Sequence, residues 1–210
     1  MFTNLVFQNQ KHQSTNQIPK LPVVLVHGIW DNGKAFQKIS SHLEKNGYKT
    51  YKIDLIPNDG SVGIVKLAHQ LKEFINKNIG KDERFFLIGF SLGGMVARYY
   101  LQKLNGLKRV KKFIAIASPH RGTWLAKFMS NQVGNELRPG SAFLKNLNKD
   151  QDQLSNNSQT IGTPFDLMII PAKSSILFAN QHQSFPILLH PLLLTSKKVC
   201  NKVLEILEEQ

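Results

Sequence analysis

One cysteine in 210 residues, Cys200, removes any internal disulfide framework and leaves no thiolate cluster to hold a metal. Long apolar runs are missing as well, and none approaches the roughly 20 residues needed to cross a bilayer. The chain opens Met-Phe-Thr-Asn-Leu-Val-Phe and then turns polar, with neither a basic lead nor an apolar core, so it does not read as a signal peptide. A cytoplasmic location, peripheral to a membrane surface, is the expectation. Acidic residues are scarce: 14 Asp and Glu stand against 27 Lys and Arg, a formal charge of +13. Such an excess draws anionic lipid headgroups, acidic substrates or nucleic acid. Phosphate-cradling signatures are also absent. There is no Gly-x-Gly-x-x-Gly, and Gly33-Lys34 is not followed by Ser or Thr, so neither hydride nor phosphoryl transfer finds support.

What is present is the composition of a globular chain, 41% hydrophobic and 20% charged, long enough for one α/β domain. Residues 1–20 read as a polar N-terminal tail and 21–210 as the domain. From Leu21 a strand-then-helix rhythm sets in. Leu21–His27 is a nearly continuous apolar run, as for a strand buried on both faces. Ala35–Asn46 is helical, Tyr48–Ile56 a strand stopped by Pro57, and Ile64–Ile79 a long amphipathic helix. Arg84–Phe90 is a second buried strand, Met95–Leu104 a helix and Lys112–Ala117 a further strand. Alternation of this kind implies an α/β fold with a mostly parallel sheet and helices on both faces. The rhythm fails over 122–161, a polar segment that is either a lid or an excursion. Strands are expected again at Phe165–Ile170 and Phe185–Leu189, and a last helix at Leu194–Leu207 holds Cys200 as a small buried hydrophobe. The basic run Lys108, Arg109, Lys111, Lys112 has no interleaved aromatic platform, so it reads as a solvated helix-to-strand connection rather than a nucleic-acid surface.

Two short motifs carry chemistry. Gly89-Phe90-Ser91-Leu92-Gly93 reads Gly-x-Ser-x-Gly and lies where a buried strand hands over to a helix. The turn is sharp enough to strain the serine backbone, and its neighbours are glycine because side chains would collide. The helix that follows points its free N–H groups toward Ser91. His27-Gly28-Ile29-Trp30 ends the first strand, and a main-chain N–H from this loop joins one from the residue after the nucleophile in an oxyanion hole. Ile29 and Leu92 are the expected donors, with His27 holding the loop rather than reacting.

Together Val24–Ile29, Gly89–Gly94 and Ala117-Ser118-Pro119-His120-Arg121-Gly122-Thr123 resemble the bacterial triacylglycerol lipase/esterase branch of the α/β-hydrolases, with the compact lidless lipases nearest in size. The resemblance is strong through Thr123 and weaker beyond. It implies a single α/β-hydrolase domain and cofactor- and metal-free hydrolysis of carboxylic esters.

A serine hydroxyl needs a base to take its proton and an acid to orient that base. In this fold the chain order is Ser, then Asp or Glu, then His. His120, His182 and His190 follow Ser91. His120 comes too early and belongs to the Ser-Pro-His-Arg-Gly-Thr turn, and His182 sits in a polar stretch. His190 ends an apolar run just before the last helix and is preferred. Asp150 and Asp152 lie in the polar segment, whereas Asp166 stands shortly ahead of His190, where the compact lipases carry a similar Asp. Either Leu167–Ile170 is the strand, with Asp166 at its start, or Gln159–Phe165 is, with Asp166 in the loop beyond it. Trp30, Phe90 and Trp124 are read as acyl-pocket walls or as core. The expected protein is a serine carboxylester hydrolase with the triad Ser91, Asp166 and His190, an acyl-ester or lipid substrate, and peripheral contact with an anionic membrane surface. The alternatives are an acyltransferase with the same triad and an inactive binding module of the same fold.

Overall fold

The computed structural model describes residues 19–209, and the expected polar tail falls almost wholly outside them. Six strands form one parallel sheet in the order β2-β1-β3-β4-β5-β6. Its centre is made of the continuous apolar runs: β1 (Val23–Val26) and β3 (Phe85–Phe90) are buried throughout, and β4 (Val110–Ile116) nearly so. A strand covered by helices on both faces has no solvent side, so its residues need not alternate. β2 (Thr50–Ile53) flanks β1, while β5 (Ser158–Gly162) and β6 (His182–Ser184) extend the sheet on the other side.

Helices α2 (Ile64–Asn78) and α3 (Leu92–Lys103) cover one face, with α4 (Gln132–Leu137) and α5 (Ala142–Lys149) beside them. Leu67, Leu71 and Ile75 of α2 meet Met95 and Val96 of α3 in that core. On the other face α1 (Gln37–Lys45) and α6 (Lys197–Glu208) bring Ile39, Leu43, Val199 and Val203 against Leu25 and Ile88. Each such side chain taken wholly out of water contributes about 1.5–3 kcal/mol. Cys200 belongs to this second core as a buried thiol, and burial pushes its pKa up. The fold is that of an α/β-hydrolase.

Register sets the site. Val26 pairs with Gly89, and Gly89 with Ala115, so β1, β3 and β4 end abreast and their loops meet at one edge. The early elements lie where the apolar pattern places them, although α3 begins at Leu92, directly after the serine. Later elements differ. The segment 122–161 holds a 3-10 turn (Trp124–Phe128), α4, α5 and most of β5, and Val133, Leu137, Leu144, Leu147 and Leu154 are buried in the first core.

β5 is the earlier of the two alternatives, and Asp166 lies in the loop after it. Residues 165–170 form no strand, because Asp166 turns the chain by accepting from the Met168 and Ile169 N–H groups, each at 2.9 Å. Phe185–Leu189 is likewise not a strand; the sixth strand is the polar His182–Ser184. The basic run is a connection only in part: Gly106–Lys108 forms a 3-10 turn and Arg109 donates to the Gly80 carbonyl at 2.6 Å, but Lys111 and Lys112 lie half-buried in β4, where Lys112 pairs with Glu209.

Candidate active site

Ser91 stands between β3 and α3 with φ 52° and ψ −121°, a conformation that costs of order 1–3 kcal/mol in a residue with a side chain. The surroundings hold it there. Its N–H donates to the Ile116 carbonyl at 2.9 Å, and its own carbonyl accepts from Gly94 N–H at 3.1 Å. A Cβ at Gly93 would run into the Val26 and His27 carbonyl oxygens, so glycine is what lets α3 press against the end of β1.

The β1 loop supplies the second wall. His27 is fully buried, with Nδ1 2.8 Å from the Gly28 carbonyl oxygen and Nε2 accepting from Leu55 N–H at 2.9 Å. With both nitrogens engaged it ties the loop after β1 to the end of β2. Trp30 N–H is spent on the Asn58 carbonyl at 2.8 Å, and Ile29 of the same loop lines a cavity with Ser91. Leu92 opens α3, so its N–H has no acceptor one turn back. Ser91, Ile29 and Leu92 line one cavity of about 220 Å³.

The two remaining residues expected at the site, His190 and Asp166, come from two loops at the same edge. His190 Nδ1 lies 2.8 Å from Asp166 Oδ2, and both side chains are buried. The other oxygen of Asp166 is held by the Met168 and Ile169 N–H groups, so the carboxylate cannot swing away from the imidazole. The His190 ring packs on Phe90, the residue before the serine, at a centroid distance of 4.7 Å. Its Nε2 is buried and has no hydrogen-bond partner, and no hydrogen bond joins it to Ser91 Oγ among the described residues. With Nδ1 donating to the carboxylate, Nε2 is the acceptor end of the ring.

The competing acids and histidines lie elsewhere. Asp150 pairs with Lys103 at 2.5 Å at the C-terminal end of α3, opposite the end that carries Ser91, and Asp152 does not line the cavity. His182 sits in β6 with Nδ1 2.8 Å from Thr160 Oγ1. His120 is buried with neither ring nitrogen bonded, and desolvation, reinforced by Arg98, holds its pKa well below the ordinary value.

The cavity walls were legible only in part. Trp30 lines it, but Phe90 packs in the core against His190, and Trp124 faces a separate hollow. The apolar wall is instead built by Leu125, Met129, Val133 and Leu137, together with Met168 and Ile169. The first four recur every fourth residue inside the polar segment, but they fall on the 3-10 turn, the extended link at Met129 and α4, so the spacing is not the face of one helix. Arg98 was also missed. It is fully buried without a carboxylate, donating to the His120 carbonyl at 3.4 Å, the Leu147 carbonyl at 3.3 Å and Gln102 Oε1 at 2.9 Å. Burial lowers its pKa to about 9, so it remains charged at neutral pH and ties α5 to the loop carrying Pro119, another cavity residue.

The family model for palmitoyl protein thioesterases matches residues 22–160, two-thirds of the chain and both motif-bearing loops. The chain belongs to the palmitoyl protein thioesterase family. Lysosomal thioesterase PPT2-B of Xenopus laevis is 30% identical over 115 residues, 52% of this chain and 39% of that protein. Palmitoyl-protein thioesterase 3 of Dictyostelium discoideum is 25% identical over 114 residues, again 52% of this chain and 39% of the relative. The chain thus matches about two-fifths of the length of these relatives. Among solved structures, mature Bacillus licheniformis lipase BlEst2 superposes with a TM-score of 0.69 at 20% identity, covering 91% of this chain and 93% of the lipase. The Paleococcus ferrophilus monoacylglycerol lipase gives 0.69 at 16% identity over 90% and 95%. At these identities the superpositions show the shared α/β-hydrolase fold.

Proposed function

We propose that the protein is a serine acyl hydrolase that cleaves long-chain acyl esters or thioesters through Ser91, His190 and Asp166. One observation carries the reading: a strained serine at a strand-to-helix elbow opens on an apolar cavity, beside a buried imidazole whose Nδ1 is fixed by a carboxylate and whose Nε2 is unpartnered. In the reaction, Ser91 Oγ attacks the acyl carbonyl carbon while His190 Nε2 takes the hydroxyl proton. Asp166 stabilises the imidazolium, and the Ile29 and Leu92 N–H groups receive the oxyanion. Collapse of the tetrahedral intermediate breaks the bond to the alcohol or thiol, which leaves with the proton from His190. Water then attacks the acyl-enzyme with the same base, releasing the acid and restoring Ser91.

The acyl class follows from the cavity. Its walls are almost wholly apolar, and each methylene buried there is worth about 0.8 kcal/mol, near fourfold in kcat/KM while room remains. The likeness to palmitoyl-protein thioesterases supports a long acyl chain and extends the leaving group to thiols. Hydrolysis of p-nitrophenyl esters from acetyl to palmitoyl, and of a palmitoyl thioester, tests the reading against Ser91→Ala. Turnover that rises with chain length and vanishes in the variant is expected. Equal rates in both proteins would sink it.

A second reading keeps the acyl-enzyme but passes the acyl group to an alcohol. It is favoured by 28% identity to Ethanol acetyltransferase 1 of Cyberlindnera fabianii over 148 residues, 66% of this chain and 42% of that protein. Product analysis in the presence of ethanol separates the two, since transfer yields ethyl ester and hydrolysis free acid.

A further inference from the structure

Every large hydrophobic side chain that stands exposed among the described residues lies on one edge of the sheet. All eleven follow the carboxyl end of a strand: Trp30 after β1, Ile56 and Val65 after β2, Trp124 and Phe128 after β4, and the remaining six in the loops after β5 and β6. In a parallel sheet these ends share a side, and that side carries the cavity mouth. The returning connections on the opposite edge, 46–49, 79–84 and 104–109, contribute none. The exposure is large, with Phe128 85% accessible and Leu188 69%, against the usual scattering of single apolar residues over a surface.

Charge tells what covers this edge. Arg121 and Lys173 share a hollow of about 190 Å³ with Trp124, and Lys127 lies exposed between Trp124 and Phe128. None of these three cations is paired with a carboxylate among the described residues. Asp31, Asp59 and Glu136 stay charged but accept from backbone groups, Asn32, Ser61 and Ile64 N–H in turn, and pair with none of the three cations. An apolar patch with two tryptophans and a cluster of unpaired cations around Trp124 matches a bilayer interface that carries anionic headgroups, where indole and phenyl rings enter the headgroup layer and Arg and Lys meet phosphate. A protein partner would instead need acidic side chains set opposite these three cations within an otherwise apolar face.

We propose that this edge docks on an anionic lipid surface, with Trp124, Phe128 and Leu188 entering the interface and Arg121 and Lys173 holding phosphate groups. In the docked orientation an acyl chain passes from the bilayer into the cavity without crossing water. The inference builds on the acyl-hydrolase reading for its purpose, but the docking itself does not require Ser91. No helix among the described residues is long and apolar enough to cross a membrane, so the contact is with the surface.

The protein carries its own reporters, since its two tryptophans, Trp30 and Trp124, are 62% and 56% exposed on this edge. The 210-residue chain, with Ser91→Ala so that lipid is not consumed, is mixed with phosphatidylcholine vesicles with and without phosphatidylserine. Tryptophan emission and co-sedimentation are then followed. A blue shift with co-sedimentation, stronger on phosphatidylserine, is expected. Arg121→Gln combined with Lys173→Gln lowers partitioning about thirtyfold on phosphatidylserine vesicles. Phe128→Ser with Leu188→Ser lowers it at least about tenfold while p-nitrophenyl acetate turnover, measured in the Ser91 protein, stays unchanged. No blue shift on either vesicle overturns the proposal, as does binding that survives the Phe128/Leu188 pair, which marks adsorption by charge alone. A lipid-free dimer that the same pair dissociates overturns it too, by giving the face to a second copy. Docking without any ester hydrolysis would remove the proposed activity and leave this surface standing.

Discussion

Replacing Asp166 by Asn tests how the base is oriented while leaving the loop folded. The amide oxygen of Asn still accepts from the Met168 and Ile169 N–H groups now held by Oδ1 at 2.9 Å, so the turn after β5 survives. The amide nitrogen then replaces Oδ2, 2.8 Å from His190 Nδ1. Two donors cannot face each other. The imidazole must therefore move its proton to Nε2, the atom that has to accept from Ser91. At 2.8 Å and an effective dielectric of about 20, the carboxylate–imidazolium attraction lost is about 6 kcal/mol. Wrong-tautomer substitutions in other serine hydrolases cost about 10⁴ in kcat, or about 5.5 kcal/mol, and the two estimates agree. Steady-state kinetics on a p-nitrophenyl ester, with fluorophosphonate labelling of Ser91 as a second readout, measure the loss. Asp150→Asn serves as the control and leaves both rates unchanged, because that carboxylate is engaged with Lys103. A loss of less than about tenfold for Asp166→Asn, with the melting temperature intact, would refute this account of the acid.

Other perturbations probe the frame around the site. Gly93→Ala forces a methyl group against the Val26 and His27 carbonyl oxygens; we expect destabilisation of about 1–3 kcal/mol in urea unfolding and a collapse of turnover. Leu137→Phe narrows the cavity wall and shifts the acyl optimum to shorter chains, each excluded methylene lowering kcat/KM about fourfold; an unmoved optimum in the p-nitrophenyl series would place the acyl chain elsewhere. His120 has its pKa held well below 6.5 by burial, so below pH 6.5 protons bind the unfolded chain but not the native one. Stability from this group is complete above 6.5 and declines as pH falls, by up to about 1.4 kcal/mol per pH unit. Urea midpoints between pH 7.5 and 5 should fall more steeply for the native sequence than for His120→Phe; parallel slopes would argue against a neutral buried His120.

How far the sequence discloses the fold depends on what an apolar residue is for. In β1, β3 and β4, and along Ile64, Leu67, Leu71 and Ile75 of α2, apolar means core, and the pattern reads directly as structure. The serine elbow is legible for a related reason, since only glycine at 93 permits the packing that defines it. Near the carboxyl end both signals invert. β5 is written Ser-Gln-Thr-Ile-Gly, and its buried polar groups are satisfied across the strand by Gln181 and His182, so a genuine sheet strand looks like loop. Leu167 with Met168, and Leu188 with Leu189, look like strands but stand exposed in the loops after β5 and β6, Met168 lining the cavity. Periodicity cannot tell a side chain hidden from water from one offered to a ligand or a surface, because both are chosen for the same aversion to water. Asp166 and His190 were found by chain order and resemblance rather than by their surroundings. Their surroundings are two short loops in which Phe165, Leu167, Met168, Leu188, Leu189 and Leu192 point outward while Leu193 and Leu194 join the core, and there this chain departs from the rule that hydrophobic segments build the core.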